Sequence, residues 1–137
     1  MEAENRLGFS QTVHDLDNDV VLKAFTDNGL SLARNEVKHF SVSENLTTGY
    51  EWILEKDGGE CGDILSVHDS YDAPYFGEDD LELVGVSGTK YFSLHGVRNG
   101  QCTWRAAYAR SWEFDWQDRI GRAGRLIEID VTVGALN

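Results

Sequence analysis

Along most of this chain, hydrophobic and polar positions alternate in short runs with a period of two. Successive side chains of a β-strand point to opposite faces, so such alternation marks strands with one face buried. Val20-Val21-Leu22-Lys23-Ala24-Phe25 reads as a first strand. Asp27-Asn28-Gly29 then gives a strong hairpin signal, with Leu30-Ser31-Leu32-Ala33 as a short partner. Val37-Lys38-His39-Phe40-Ser41-Val42 alternates in part, residues 50–54 form the next strand, Asp57-Gly58-Gly59 ends it, and 63–68 is a further candidate. In the run 90–97, Tyr91, Ser93 and His95 take one face and Phe92, Leu94 and Gly96 the other. Arg98-Asn99-Gly100 reads as a second hairpin turn, with 101–109 pairing back and placing Cys102, Trp104, Ala106 and Tyr108 on one face. Leu126-Ile127-Glu128-Ile129-Asp130-Val131-Thr132-Val133 closes the chain as a strand. Glycine-marked turns, no convincing helix and about seven to eight short strands predict an all-β fold, an antiparallel β-sandwich. Residues 1–19, where Asp15, Asp17 and Asp19 alternate with Leu16, Asn18 and Val20, read as a loose polar N-terminal extension ahead of one domain over 20–137.

Composition narrows the function classes. The 137 residues suffice for one domain with a real core, and 41% hydrophobic content with a single proline marks a globular chain. Twelve basic residues against 24 acidic ones give a formal charge of −12, which repels nucleic acid and anionic lipid. No run is long and apolar enough to span a bilayer as a helix. The N-terminal six residues lack the basic and then apolar segments of a signal peptide, so the expectation is a cytoplasmic chain or the mature form of a secreted or lysosomal one. Cys61 and Cys102 are too few for a disulfide scaffold or a structural zinc site, and whether they bridge each other is left open by sequence.

Candidate chemistry is sparse. The acidic stretch 69–82, with Pro74 and the aromatics Tyr71, Tyr75 and Phe76, reads as a long loop pinned to a sheet edge, without the spacing of a metal cage. The aspartates before position 20 lack the glycine and terminal glutamate of a calcium loop. His14, His39, His68 and His95 are scattered, neither cysteine has the setting of a nucleophile, and no paired-carboxylate site is readable, so no enzyme, metal or cofactor is expected.

Three stretches at strand connections stand out. Asn45-Leu46-Thr47-Thr48-Gly49-Tyr50 begins as a turn, where Asn45 and Gly49 tolerate positive φ and the threonines bond locally, and ends in a strand whose Tyr50 and Trp52 face one way. Gly85-Val86-Ser87-Gly88 carries two glycines that permit close approach by another chain. Arg110-Ser111-Trp112 puts a large aromatic just past a strand end. Taken singly, the first is an ordinary turn and Trp112 a core or edge aromatic.

In this order, over about positions 20–133, the three stretches resemble those of the chagasin family of cysteine-peptidase inhibitors. That family carries an Asn-Pro-Thr-Thr-Gly-aromatic loop, a Gly-x-Gly-Gly loop and Arg-Pro-Trp. This chain departs from it at Leu46 and Ser111, where the family has proline, and at Ser87, where glycine is usual. The resemblance implies an Ig-like sandwich whose three loops form a wedge that enters the active-site cleft of papain-like, cathepsin-type cysteine peptidases and inhibits them reversibly; separately, a monomer is expected, though sequence does not fix the oligomeric state. It implies Thr47, Thr48 and Gly49 at the cleft centre, Gly85, Val86, Ser87 and Gly88 along the non-primed side, and Arg110 and Trp112 over the primed side, with Asn45, Leu46, Tyr50 and Ser111 completing the contact set. Residues 110–125 hold four arginines against three acids, making this part about neutral on an acidic protein. Asn45-Leu46-Thr47 is also a formal N-glycosylation acceptor, and a glycan there would block insertion. The competing reading is an adhesion or carbohydrate-binding sandwich using Trp112, Trp116 and Asp118. Sugar binding calls for aromatics aligned on a face or groove, inhibition for three loops meeting at one end.

Overall fold

The computed structural model of the protein describes residues 12–56, 59–73 and 87–134. In chain order the elements are β1 (Val13–Asp15), α1 (Asp19–Asn28), β2 (Leu30–Leu32), β3 (Val37–Glu44), β4 (Tyr50–Leu54), β5 (Leu65–Asp72), β6 (Gly88–Gly96), β7 (Gly100–Arg110) and β8 (Arg125–Val133). The described strands form two four-stranded sheets, ordered β1-β3-β6-β5 and β2-β8-β7-β4. The central pairings are antiparallel, while β1 joins β3 and β2 joins β8 in parallel at the sheet edges.

The two inner faces share one core. Phe40, Val42, Phe92 and Leu94 from the first sheet meet Trp52, Trp104, Ile127, Ile129, Val131 and Val133 from the second. Phe40 stacks on Phe92 at 5.1 Å between ring centroids and Phe92 on Trp104 at 5.2 Å, an aromatic column that runs from sheet to sheet. Such pairs add about 0.5–1.5 kcal/mol each beyond the area they bury. On the outside of β7, Ala107 and Ala109 leave room for Phe114, Trp116, Ile120 and Ala123 of the β7–β8 connection to pack down as a second cluster.

Several sequence expectations are corrected. The segment expected as a strand over 20–25 lies within the helix α1, because local capping outweighs its β-branched residues. The Asn18 side chain accepts hydrogen bonds from the Val20 and Val21 N–H groups, Asp19 favours the helix N-terminus, and Val21, Leu22 and Phe25 share one helical face against the core. Asp27-Asn28-Gly29 is therefore a helix end and not a hairpin. Gly29, at φ 80°, donates its N–H to the Phe25 carbonyl, and the strand that follows pairs with β8.

Arg98-Asn99-Gly100 is likewise no hairpin. It carries the chain from β6 in one sheet to β7 in the other, since β6 pairs with β3 and β5 while β7 pairs with β4 and β8. The polar extension expected over 1–19 contributes its last residues to the sandwich. Val13–Asp15 is a strand, and Leu16 is fully buried, its N–H donating to the Ser41 carbonyl. The expected acidic loop begins later than read, because Asp69 to Asp72 complete β5; residues 74–82 of that loop, with Pro74, Tyr75 and Phe76, lie outside the described residues, as do Asp57 and Gly58. Cys61 and Cys102 form a disulfide.

Candidate functional site

Residues 45–49 carry the chain from β3 in one sheet to β4 in the other. They close as a 3-10 turn over Leu46–Thr48. Asn45 stays extended and its Oδ1 accepts the Thr47 N–H at 3.1 Å and the Thr47 hydroxyl at 2.6 Å. The Thr48 hydroxyl donates to the Asn45 carbonyl at 2.9 Å and accepts the Tyr50 N–H at 3.2 Å. Gly49 ends the turn in the left-handed region, φ 82°, and donates its N–H to the Leu46 carbonyl. The side chains of Leu46, Thr47 and Thr48 stand exposed on a loop whose backbone is held by its own bonds. At its exit the Tyr50 and Trp52 rings both pack at a tilt against Tyr108, with centroids 5.4 and 5.1 Å away.

The third stretch lies against the first. Arg110, the last residue of β7, pairs with Tyr50, the first of β4, and its guanidinium sits 4.7 Å from the Tyr50 ring centre. Residues Ser111–Glu113 make a 3-10 turn that leaves Trp112 64% exposed. A β-carbon on Gly49 would meet the Trp112 indole at 2.8 Å, so the two loops touch. Of the second stretch, Ser87 and Gly88 are described, and Gly85 and Val86 lie outside the described residues. Gly88 pairs with Glu44, the residue immediately before Asn45. A side chain at Gly88 would collide with Tyr71 and with the Asp72 backbone, which explains the glycine there. Asn45 to Tyr50, Ser87 and Gly88, and Arg110 to Trp112 thus gather at one end of the sandwich.

Glu44, Tyr71 and Tyr108 support these loops, and of the three only Glu44 was not singled out from sequence. Glu44 is 2% exposed, and its Oε1 accepts the Trp52 N–H at 2.6 Å. Burial raises its pKa, partly offset by the Trp52 N–H and Lys90. A signal existed: Phe40, Val42 and Glu44 occupy successive inward positions of one strand. Tyr71 donates its hydroxyl to the Glu44 carbonyl at 3.3 Å, and the Asn45 N–H donates to the Tyr108 hydroxyl at 3.4 Å. Beside them Asp69 binds Lys56 at 2.6 Å and Lys90 at 2.9 Å; desolvation opposes its ionisation, but the two lysines outweigh it and lower its pKa. Among the described residues, no group of histidine, cysteine or carboxylate side chains could hold a metal ion.

The described part of the fold is a two-sheet sandwich that brings residues 45–50, 87–88 and 110–112 to one end. The chagasin family peptidase inhibitor (I42) model matches residues 31–121, and the chain belongs to that family. Among solved structures, the cysteine protease inhibitor EhICP2 from Entamoeba histolytica is similar, with a TM-score of 0.56 and 19% identity over 88% of this chain and 94% of that one. Amebosin is similar with a TM-score of 0.53 and 24% identity over 78% and 91% of the two chains. Both likenesses show the shared fold. No curated protein sequence matches the chain.

Proposed function

We propose that this protein is a reversible inhibitor of papain-like cysteine peptidases that fills the active-site cleft with the ridge formed by residues 45–50, the 85–88 stretch and residues 110–112. The observation that carries the reading is the contact of Trp112 with Gly49 together with the pairing of Gly88 and Glu44, which joins three distant stretches at one end. Membership of a peptidase-inhibitor family supports the same reading. A cysteine peptidase cleaves when a substrate carbonyl lies in its oxyanion hole in line with the thiolate. The 45–49 loop turns tightly at Gly49 and leads with threonine side chains, so it occupies the cleft without offering an extended scissile bond. Its internal hydrogen bonds hold it in shape before docking, which keeps the ordering cost of association small.

The sugar-binding alternative loses support at Trp116. That ring meets Phe114 edge-on and carries the Arg105 guanidinium 4.6 Å from its centre, so it helps cover the second sheet. The deciding experiment is a titration of papain and of a cathepsin-type peptidase. Wild type gives equimolar, reversible loss of activity. Thr48→Arg, which places a long charged chain at the exposed turn, weakens inhibition by about a hundredfold, or ~2.7 kcal/mol, without unfolding. Wild type without effect on either peptidase would dismiss the proposal.

A further inference from the structure

We infer that Glu44 is a positioning residue for the inhibitory ridge, its buried carboxylate fixing the point where the chain passes from one sheet to the other. The inference rests on the reading of that ridge as the inhibitory surface. Among the described strands β4 lies at the edge of its sheet, with β7 as its strand neighbour. The Glu44 carboxylate accepts the Trp52 N–H at 2.6 Å, and the Ser43 carbonyl accepts the Trp52 indole N–H at 3.0 Å. Two consecutive residues of one sheet thereby hold both N–H groups of a core tryptophan in the other. Glu44 also pairs with Gly88 at the start of β6, its carbonyl accepts the Tyr71 hydroxyl, and its neighbour Asn45 donates to Tyr108 of β7. Glu44 and the residues on either side of it therefore touch β4, β5, β6 and β7 beside these loops. A leucine here would fill the space but leave the Trp52 N–H without an acceptor, and the 45–49 loop free to shift against Gly88 and Trp112.

The charged groups that bear on the carboxylate are Lys90 of β6 and Asp69 of β5, with Lys56 held on Asp69, and Glu51 of β4. Burial raises the carboxyl pKa above 4.5, and the neighbouring acids push the same way. With the folded pKa above the unfolded one, the contribution of Glu44 to stability is complete below the unfolded pKa and is lost as pH rises through the folded pKa. Glutamine keeps the acceptor without that titration.

Three variants test the assignment, read by amide hydrogen exchange at Trp52 and residues 45–50, by papain affinity and by stability against pH. Glu44→Gln is expected to keep wild-type exchange protection and affinity to within about threefold. Its gain in stability over wild type is expected to be largest at neutral pH and to shrink as pH falls towards 4.5. Glu44→Leu is expected to exchange the Trp52 and loop amides about tenfold faster and to bind papain about tenfold more weakly. Glu44→Asp, which keeps the charge and shortens the reach, should lie between them, and it carries the test alone if Glu44→Leu does not fold. Wild-type exchange in both Glu44→Leu and Glu44→Asp, or losses in Glu44→Gln equal to those in Glu44→Leu, would overturn the assignment. The exchange measurements stand whether or not papain is the target, so failure of wild type to inhibit would count against the proposed function and leave the role of Glu44 to be judged on protection alone.

Discussion

The indole of Trp112 closes over the α-carbon of Gly49, so near that a β-carbon there would lie 2.8 Å from its Cη2. Residues 63 positions apart in sequence thus form one surface. Gly49 is also left-handed at φ 82°, so two separate demands exclude a side chain. Gly49→Ala should cost about 1–2 kcal/mol for the backbone conformation alone and displace Trp112 as well. Thermal unfolding should show the loss, and peptidase titration should show weaker inhibition.

Trp112→Ala separates stability from recognition. The side chain is 64% exposed, so its removal should leave the melting temperature nearly unchanged. As an exposed tryptophan within the proposed contact, it should cost about 2 kcal/mol or more of affinity, roughly 30-fold. Equal affinity of the variant and wild type in a papain titration would place Trp112 outside the contact.

Leu46→Pro should stabilise the protein. Leu46 is the first residue of the 3-10 turn and is 46% exposed, and the preceding Asn45 is extended at φ −109° and ψ 96°, a conformation that tolerates a following proline. Proline here restricts the unfolded chain, which is worth about 0.4–1 kcal/mol. Calorimetry should show a rise of a few degrees, with inhibition equal or tighter, and a lowered melting temperature would show that the turn needs the Leu46 N–H.

Reduction of the disulfide should weaken the fold without disarming the loops. Cys61 and Cys102 are buried and 41 residues apart, and closing a loop of that length is worth about 4 kcal/mol in the chain-entropy description. For a chain of this size the melting temperature should fall by on the order of 10–15 °C. Cys102 lies near the start of β7 and Arg110 at its end, about 27 Å along an extended strand, so the ridge is remote from the bridge. Reduced protein at 25 °C should still inhibit, as an activity titration in reductant would show.

The strands with clean alternation, such as 101–109 and 126–133, were legible because one face of each packs on a shared core. Val20 to Phe25 was misread because its valines suggest a strand, while the Asn18 cap and the spacing of Val21, Leu22 and Phe25 suggest a helix; the cap and the packing decide it. The turn at Arg98-Asn99-Gly100 was misread for a different reason, since turn residues say that the chain bends and not which sheet receives the next strand. The loops were legible through their motifs. Their support was not, because Glu44 resembles any surface glutamate until Phe40 and Val42 show which face of β3 is buried.

Whether the ridge acts by occupying the peptidase cleft is decided by calorimetric binding of the wild-type protein to papain before and after the cleft is filled by a covalently attached peptidyl inhibitor. Occupation of the cleft gives equimolar binding to the open enzyme and none to the filled one. Binding of equal strength to both would contradict it.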